Sequence, residues 1–215
     1  MILGSRKRFL FIHVPKCGGD SIREVLTSPG NGGVHFLRKH GTFAQATAEL
    51  GDGIAGLRAF SVVRNPFAQV LSFYEHLRKP LSMSASDIER QYPGSGGRLF
   101  PFAESQLAMQ VEFGEFVRRV YGAPGGPKPV FADQCSFLGD GIGAAGVGRI
   151  LRFERLHEDF VALAEELGIE GELPWRNAST APRGAHAYRD RYELDVRSIV
   201  ERHFRPTLER FGYGF

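Results

Sequence analysis

FLFIHVPKCGGDSIREVL, residues Phe9–Leu26, is the stretch on which the fold turns. Phe9 to Val14 is short, aromatic and aliphatic, and Pro15 ends it, so it reads as a buried strand. Lys16 and the paired Gly18-Gly19 follow. Asp20 or Ser21 then starts a helix with Ile22, Val25 and Leu26 on one face. Strand, tight glycine turn and helix N-terminus together make an anion cradle from backbone N–H groups and the helix dipole. Lys16 adds a positive charge at its mouth. The order differs from an ATP-binding loop, G-x-x-x-x-G-K-[ST], in which the lysine follows the glycines; the dipeptide Gly-Lys occurs nowhere in the chain. Taken alone, the segment also fits an ordinary glycine turn with an exposed lysine.

A second stretch, FSVVRNPFAQVLSFYEHL (Phe60–Leu77), repeats the pattern without glycines. Ala59 to Val63 is a short apolar strand, Asn65-Pro66 ends it, and Pro66 opens a helix to about Leu77, where a missing N–H costs nothing. Arg64 therefore lies at the carboxyl end of a strand, where open α/β sheets bind ligands. Ser72 follows within the helix. An arginine fork and a hydroxyl can grip one phosphate together. The plainer alternative is an arginine paired with a carboxylate and a serine on a helix face.

Further strands and helices alternate along the chain. Ile150 to Phe153 is a third strand and Leu156 to Leu167 a helix with Leu156, Phe160, Leu163 and Leu167 on one side. A helix is expected from about Thr42 within the polar segment Phe36–Leu50, another over Ser105–Tyr121, and a last one over Tyr188–Phe211, interrupted at Pro206. This alternation predicts an α/β fold, a parallel sheet with helices on both faces. No repeat and no domain boundary stands out, so residues 1–215 read as one domain. Glycine-rich loops at Gly94, Gly122 and Gly139 would shape access for an acceptor substrate. Gly141–Gly146 matches G-x-G-x-x-G, but a glycine-rich stretch precedes it and a strand follows. That is the wrong context for a dinucleotide fingerprint.

At 215 residues, 42% hydrophobic and 24% charged, the chain has the make-up of a soluble globular protein. A net charge of +3 is too mild to indicate nucleic acid and suits a small anionic ligand. The first apolar run is too short for a signal peptide or a membrane span. Cys17 and Cys135 give neither a disulfide framework nor a metal-ligand spacing. A cytoplasmic protein with reduced thiols and no resident metal is expected, and the sequon at Asn177 reads as a chance match.

At the two quoted segments the chain resembles a family. FIHVPKCGGDSI is similar to the phosphosulfate loop of sulfotransferases that use 3′-phosphoadenosine 5′-phosphosulfate, written F-I-H-x-P-K-T-G-G-T-S. VVRNPFAQVLSFY is similar to their 3′-phosphate segment, V-R-N-P-x-x-x-x-x-S-x-Y. The group is that of the heparan sulfate 2-O-sulfotransferases and their bacterial relatives. KHGTFAQ resembles its histidine segment. ILRFERLHEDFVALAEELGI, LPWRNAS and RPTLERFGY resemble its later strand and helix, loop and closing helix, in the same order along most of the chain.

The resemblance implies a P-loop-nucleotide-kinase-like sulfotransferase fold. It implies a phosphosulfate donor held without metal and an acceptor hydroxyl, on a small molecule or a glycan. Lys16 would stabilise charge on the leaving phosphate. Cys17, Gly18, Gly19, Asp20 and Ser21 would line the 5′ end, and Arg64 and Ser72 would hold the 3′-phosphate. Cys17 and Asp20 stand where the family has threonines. Cys17 can fill a small slot as a hydrophobe. A carboxylate at Asp20 repels a phosphosulfate, unless it turns away to cap its own helix.

Transfer needs a group to take the acceptor's proton, and imidazole titrates near neutral pH. His13 lies in the first strand and reads as structural. His76, His157 and His203 lie on helices, and His186 in a polar loop. His40 matches the family's histidine segment and is the candidate base, with His35 second and Glu75 or Glu104 as carboxylate substitutes. Arg176, Asn177, Ser179 and Arg183 are candidates for adenine contacts. Two other classes stay open: a magnesium- and ATP-dependent nucleotide kinase, and a catalytically silent module that binds the bisphosphate product.

Overall fold

The computed structural model describes residues 1–79, 83–91, 103–124, 128–139, 146–174 and 188–215. Five strands form one sheet: β1 (Ile2–Gly4), β2 (Phe9–Ile12), β3 (Val34–His35), β4 (Arg58–Val63) and β5 (Arg149–Arg152), in the spatial order β3-β1-β2-β4-β5. Successive side chains of a strand point to opposite faces. All four residues of β2 are at most 1% exposed, so both faces of the sheet are covered at its centre. This is why the run is uniformly apolar rather than alternating. β2 pairs in parallel with β4, Phe9 opposite Arg58 and Ile12 opposite Ser61. β4 pairs in parallel with β5, Phe60 opposite Arg149 and Val63 opposite Arg152. These are the three strands expected from the sequence, displaced by two residues or fewer at their ends.

The sheet is nonetheless mixed, which corrects the all-parallel expectation. β1 runs antiparallel to β2, Ile2 opposite Phe11 and Gly4 opposite Phe9, and β3 runs antiparallel to β1. Strands of three and two residues carry no readable period, and local pattern does not reveal them. Gly4 is needed here: a Cβ would come within 2.3 Å of the Phe9 ring.

The chain divides into two compact units. The first comprises Met1–Asn65, Lys128–Ala178 and Pro206–Gly214 and holds the whole sheet. Its helices are α1 (Gly19–Leu26), α2 (Phe43–Leu50), α7 (Cys135–Leu138) and α8 (Leu156–Leu167). Ile22, Val25 and Leu26 of α1 and Phe160, Leu163 and Leu167 of α8 join the sheet's Phe9, Phe11 and Phe60 in one core, as the helical spacing predicts. The short α10 (Arg205–Phe211) lies in this unit apart from its first residue.

The second unit comprises Pro66–Pro127, Ser179–Arg205 and Phe215. It contains α3 (Pro66–Arg78), α4 (Ala85–Gln91), α5 (Ala103–Gln110), α6 (Phe113–Tyr121) and α9 (Leu194–His203). Tyr74 packs on Phe113 and Phe116, each with ring centroids 5.4 Å away. The expected helix over Ser105–Tyr121 is two helices. The Tyr74 hydroxyl donates to the Val111 carbonyl at 2.9 Å, satisfying an acceptor at the break, and Glu112 is the extended N-cap of α6. The last helical stretch breaks at Phe204, not Pro206, which falls in the first turn of α10.

Among the described residues no helix is long and apolar enough to cross a membrane. The 94–97 loop, positions 141–145, Arg176, Asn177, Ser179, Arg183 and His186 lie outside the described residues.

Candidate functional site

The turn after β2 is built around two left-handed residues, Lys16 at φ 61° and Gly18 at φ 78°. Glycine adopts this region freely, whereas a lysine there is strained. Gly18 also has no room for a side chain, because a Cβ would lie 2.7 Å from a Leu156 methyl. Gly19 lies flat on the His13 ring, with a Cβ position only 2.3 Å from Cδ2. The helix begins at Gly19, one or two residues earlier than expected, and its N-cap Gly18 offers no side-chain cap. The first N–H groups of a helix have no acceptor within it. Here none is capped by the N-cap side chain, so the α1 terminus presents donors and the positive end of the dipole.

Arg64 stands beside this turn because β2 and β4 are parallel neighbours, with Ile12 opposite Ser61. Its guanidinium donates to the Lys16 carbonyl at 3.1 Å and lies 4.1 Å above the centre of the Phe153 ring. The buried Gln134 holds the backbone of Arg64 from both sides: its Oε1 accepts from Arg64 N at 3.0 Å, and its Nε2 donates to Arg64 O at 2.7 Å. The Cys17 thiol donates to Pro15 O at 3.4 Å and faces the same Gln134 oxygen at 3.8 Å. Cys17 is 1% exposed, and burial pushes its thiol pKa far up, so it remains a neutral thiol in a small slot. Glu154 closes this end of the sheet, accepting from Asn65 N at 2.7 Å and from the Tyr213 hydroxyl at 2.8 Å.

On the other side of the turn lies His40. Its Nδ1 is 2.9 Å from the His13 carbonyl, and a carbonyl only accepts, so Nδ1 carries the proton and the lone pair of the neutral ring is on Nε2. The two imidazoles meet edge to face at 4.7 Å, and His13 stacks on Phe11 at 5.6 Å. Burial, opposed by the bond to His13 and reinforced by the Lys39 charge, lowers the His40 pKa to about 4. His13 is 4% exposed and is held well below the ordinary histidine value, first by burial and then by the charges of His40 and Lys39. Both rings are therefore neutral near pH 7.

Asp20 does not cap its helix. It lies in the first turn of α1, and its Oδ1 pairs with Lys39 Nζ at 2.8 Å and Arg23 Nη2 at 3.5 Å. Burial alone would raise its carboxyl pKa; contact with Lys39 outweighs that and holds it below the usual range.

The first unit thus brings together Lys16, Cys17, Gly18, Gly19, Asp20, Ser21, Arg64 and His40. Ser21 is buried in the first turn of α1. Ser72 lies on α3, a helix of the second unit, and is partly exposed. His35 is exposed on β3. Glu75 and Glu104 lie on α3 and α5. Gln134 sits in no quoted segment, and Lys39, Phe153 and Glu154 sit in segments quoted only for the resemblance; none was legible as a site residue, because each acts on a partner distant in the sequence. Among the described residues no group of three or more His, Cys, Asp or Glu could hold a metal ion.

No family model matches the chain, and neither a curated protein nor a solved structure matches it.

Proposed function

We propose that this chain is a sulfotransferase that moves a sulfuryl group from 3′-phosphoadenosine 5′-phosphosulfate to an acceptor hydroxyl, on a carbohydrate. The observation that carries the reading is the join of Arg64 to the Lys16 carbonyl across adjacent parallel strands, beside a helix terminus without a side-chain cap. The Arg64 guanidinium and the backbone donors of the α1 terminus lie near one another at the ends of these strands, where an anionic nucleotide would bind. The residues fit that group: the turn admits no Cβ at Gly18 or Gly19, and the Asp20 carboxylate is occupied by Lys39.

The bound donor would supply the sulfuryl group; the chain's residues supply orientation, charge and a proton acceptor. The α1 amides and Lys16 would hold the 5′ end and stabilise charge that develops on the leaving oxygen. Arg64 would meet the 3′-phosphate, the contact that the resemblance also assigns to Ser72 of α3. His40, neutral and with Nε2 unprotonated, would take the acceptor's proton. A pKa near 4 makes His40 a weak base in the free protein. A bound anion nearby raises it, because an opposite charge favours the imidazolium.

A thermal-shift comparison tests the reading. The product bisphosphate, 3′-phosphoadenosine 5′-phosphate, should stabilise the fold without metal, by about 2.7 kcal/mol at roughly 100-fold excess over Kd. Tighter binding of AMP would remove the 3′-phosphate assignment, and a requirement for ATP with magnesium would make the protein a kinase. Binding with no turnover on any hydroxyl acceptor would leave a silent binding module.

A further inference from the structure

We propose that Asp20 is a positioning residue: through its ion pair with Lys39 it pins the turn that carries His40 against the first turn of α1. The inference rests on the reading of His40 as proton acceptor, but its geometry stands apart from any reaction. Lys39 and His40 are consecutive, and each is anchored to a different element. Lys39 Nζ is 2.8 Å from Asp20 on α1. The His40 ring bonds the His13 carbonyl, just past the end of β2, at 2.9 Å. Gly19, the residue before Asp20, lies on the His13 ring, so both anchors converge on one spot. The side chains of Leu37, Arg38 and Lys39 are exposed, and Leu37 is left-handed at φ 52°. The Met1 ammonium holds the backbone of this turn to β1, donating to the Arg38 and Lys39 carbonyls at 3.1 and 2.8 Å, and the Lys39–Asp20 pair adds the tie to α1.

A carboxylate at the mouth of an anion cradle is a liability unless it serves another end. Turned toward Lys39 it is neutralised, and it joins the anion-binding helix to the histidine turn. An ion pair this exposed adds little to global stability, so its effect is local geometry. The charged and titratable groups facing His40 are Lys39 on its own turn, Asp20 on α1, His13 at the end of β2 and the Met1 amine at the start of β1.

These groups make the test decisive in sign. If Asp20 acted only as a nearby negative charge, its removal would make imidazolium harder to form, and His40 would titrate below its present value. If Asp20 positions the turn, its removal frees the ring from the buried bond to His13. Burial is the largest cause of the low value, so the midpoint rises instead. Imidazole nitrogen NMR of the intact protein, without donor or acceptor, reads both midpoint and tautomer. In D20N the His40 midpoint should climb from about 4 toward the ordinary 6.5, and the fixed Nδ1–H tautomer should give way to a mixture. D20E should retain much of the native signature. A D20N midpoint that stays or falls overturns the proposal while leaving His40's role as base intact. Should D20N not fold, K39Q breaks the same pair from its other end. Loss of the fixed tautomer there supports the proposal, and retention overturns it. If His40→Ala later leaves transfer unchanged, the base assignment fails, and the positioning result stands on the spectra alone.

Discussion

Two helices of the first unit have the same length of eight residues and begin in opposite ways. At α2, Thr42 Oγ1 accepts from Gln45 N at 3.2 Å, and Gln45 Oε1 accepts from Thr42 N at 3.0 Å. That capping box consumes the terminus with the helix's own side chains. At α1 the N-cap is a left-handed glycine with no side-chain cap, held in place by packing against Leu156 while its neighbour Gly19 lies on His13. A finished terminus adds stability and has nothing left to offer a ligand. An open one gives up about 1 kcal/mol of capping, and here it follows the turn whose Lys16 carbonyl accepts from Arg64. The contrast separates residues whose loss should be felt in chemistry from those whose loss should be felt in folding.

The largest effect is expected just before the finished cap, at His40. His40→Ala should lower transfer by roughly 10²–10⁴-fold while leaving bisphosphate binding nearly intact. His35→Ala, on the exposed edge strand, should do much less. An exchange of these outcomes would exchange the roles, and no effect from either would move the base to Glu75 or Glu104. The pH dependence sharpens this. A folded-state value of about 4 against an ordinary 6.5 means the unfolded chain binds this proton first. The contribution to stability is therefore full above about pH 6.5 and declines as the pH falls through 4. The acid limb of kcat/KM, which reports the free protein, should fall near pH 4 rather than 6.5, and it should vanish in His40→Ala.

Next in size is Lys16→Ala at the open terminus. Turnover should drop on the order of 10²–10³-fold with little change in bisphosphate affinity. An unchanged kcat at saturating donor would take Lys16 out of the mechanism.

Gly18→Ala tests whether the open terminus depends on its packing. The left-handed backbone and the 2.7 Å approach to Leu156 predict a stability loss of about 1–3 kcal/mol, together with weaker stabilisation by the bisphosphate. Denaturation with and without ligand measures both. Thr42→Ala is the smallest and cleanest counterpart. Losing the cap should cost about 1 kcal/mol, and the ligand-induced shift should stay as in the parent. If Thr42→Ala weakens the bisphosphate as much as Gly18→Ala does, the distinction between the two termini collapses.

By itself the sequence determined the elements whose information is local. Phe9–Ile12 and Arg58–Val63 are short, largely apolar runs, and strands buried on both faces need no more than that; Arg149–Arg152, only partly buried, is carried by Ile150 and Leu151. The faces of α1 and α8 follow from helical spacing, the start of α2 near Thr42 from the local pattern, and the glycine turn from its place between strand and helix. Tertiary structure decided everything that depends on distant partners. β1 and β3 are too short to have a period; β1 forms on the edge that β2 offers, and β3 on the edge that β1 offers. The break at Val111 is satisfied by Tyr74, far back in the chain. Gln134 grips Arg64 across seventy residues. The turn of Asp20 to Lys39, the tautomer of His40 and its low pKa all arise where α1, the end of β2 and the turn before α2 close on one another. Periodicity states which side of a segment is buried. Which charge or carbonyl awaits it there is settled only when the chain closes, because hydrogen bonds and ion pairs act over a few ångströms of space regardless of separation along the sequence.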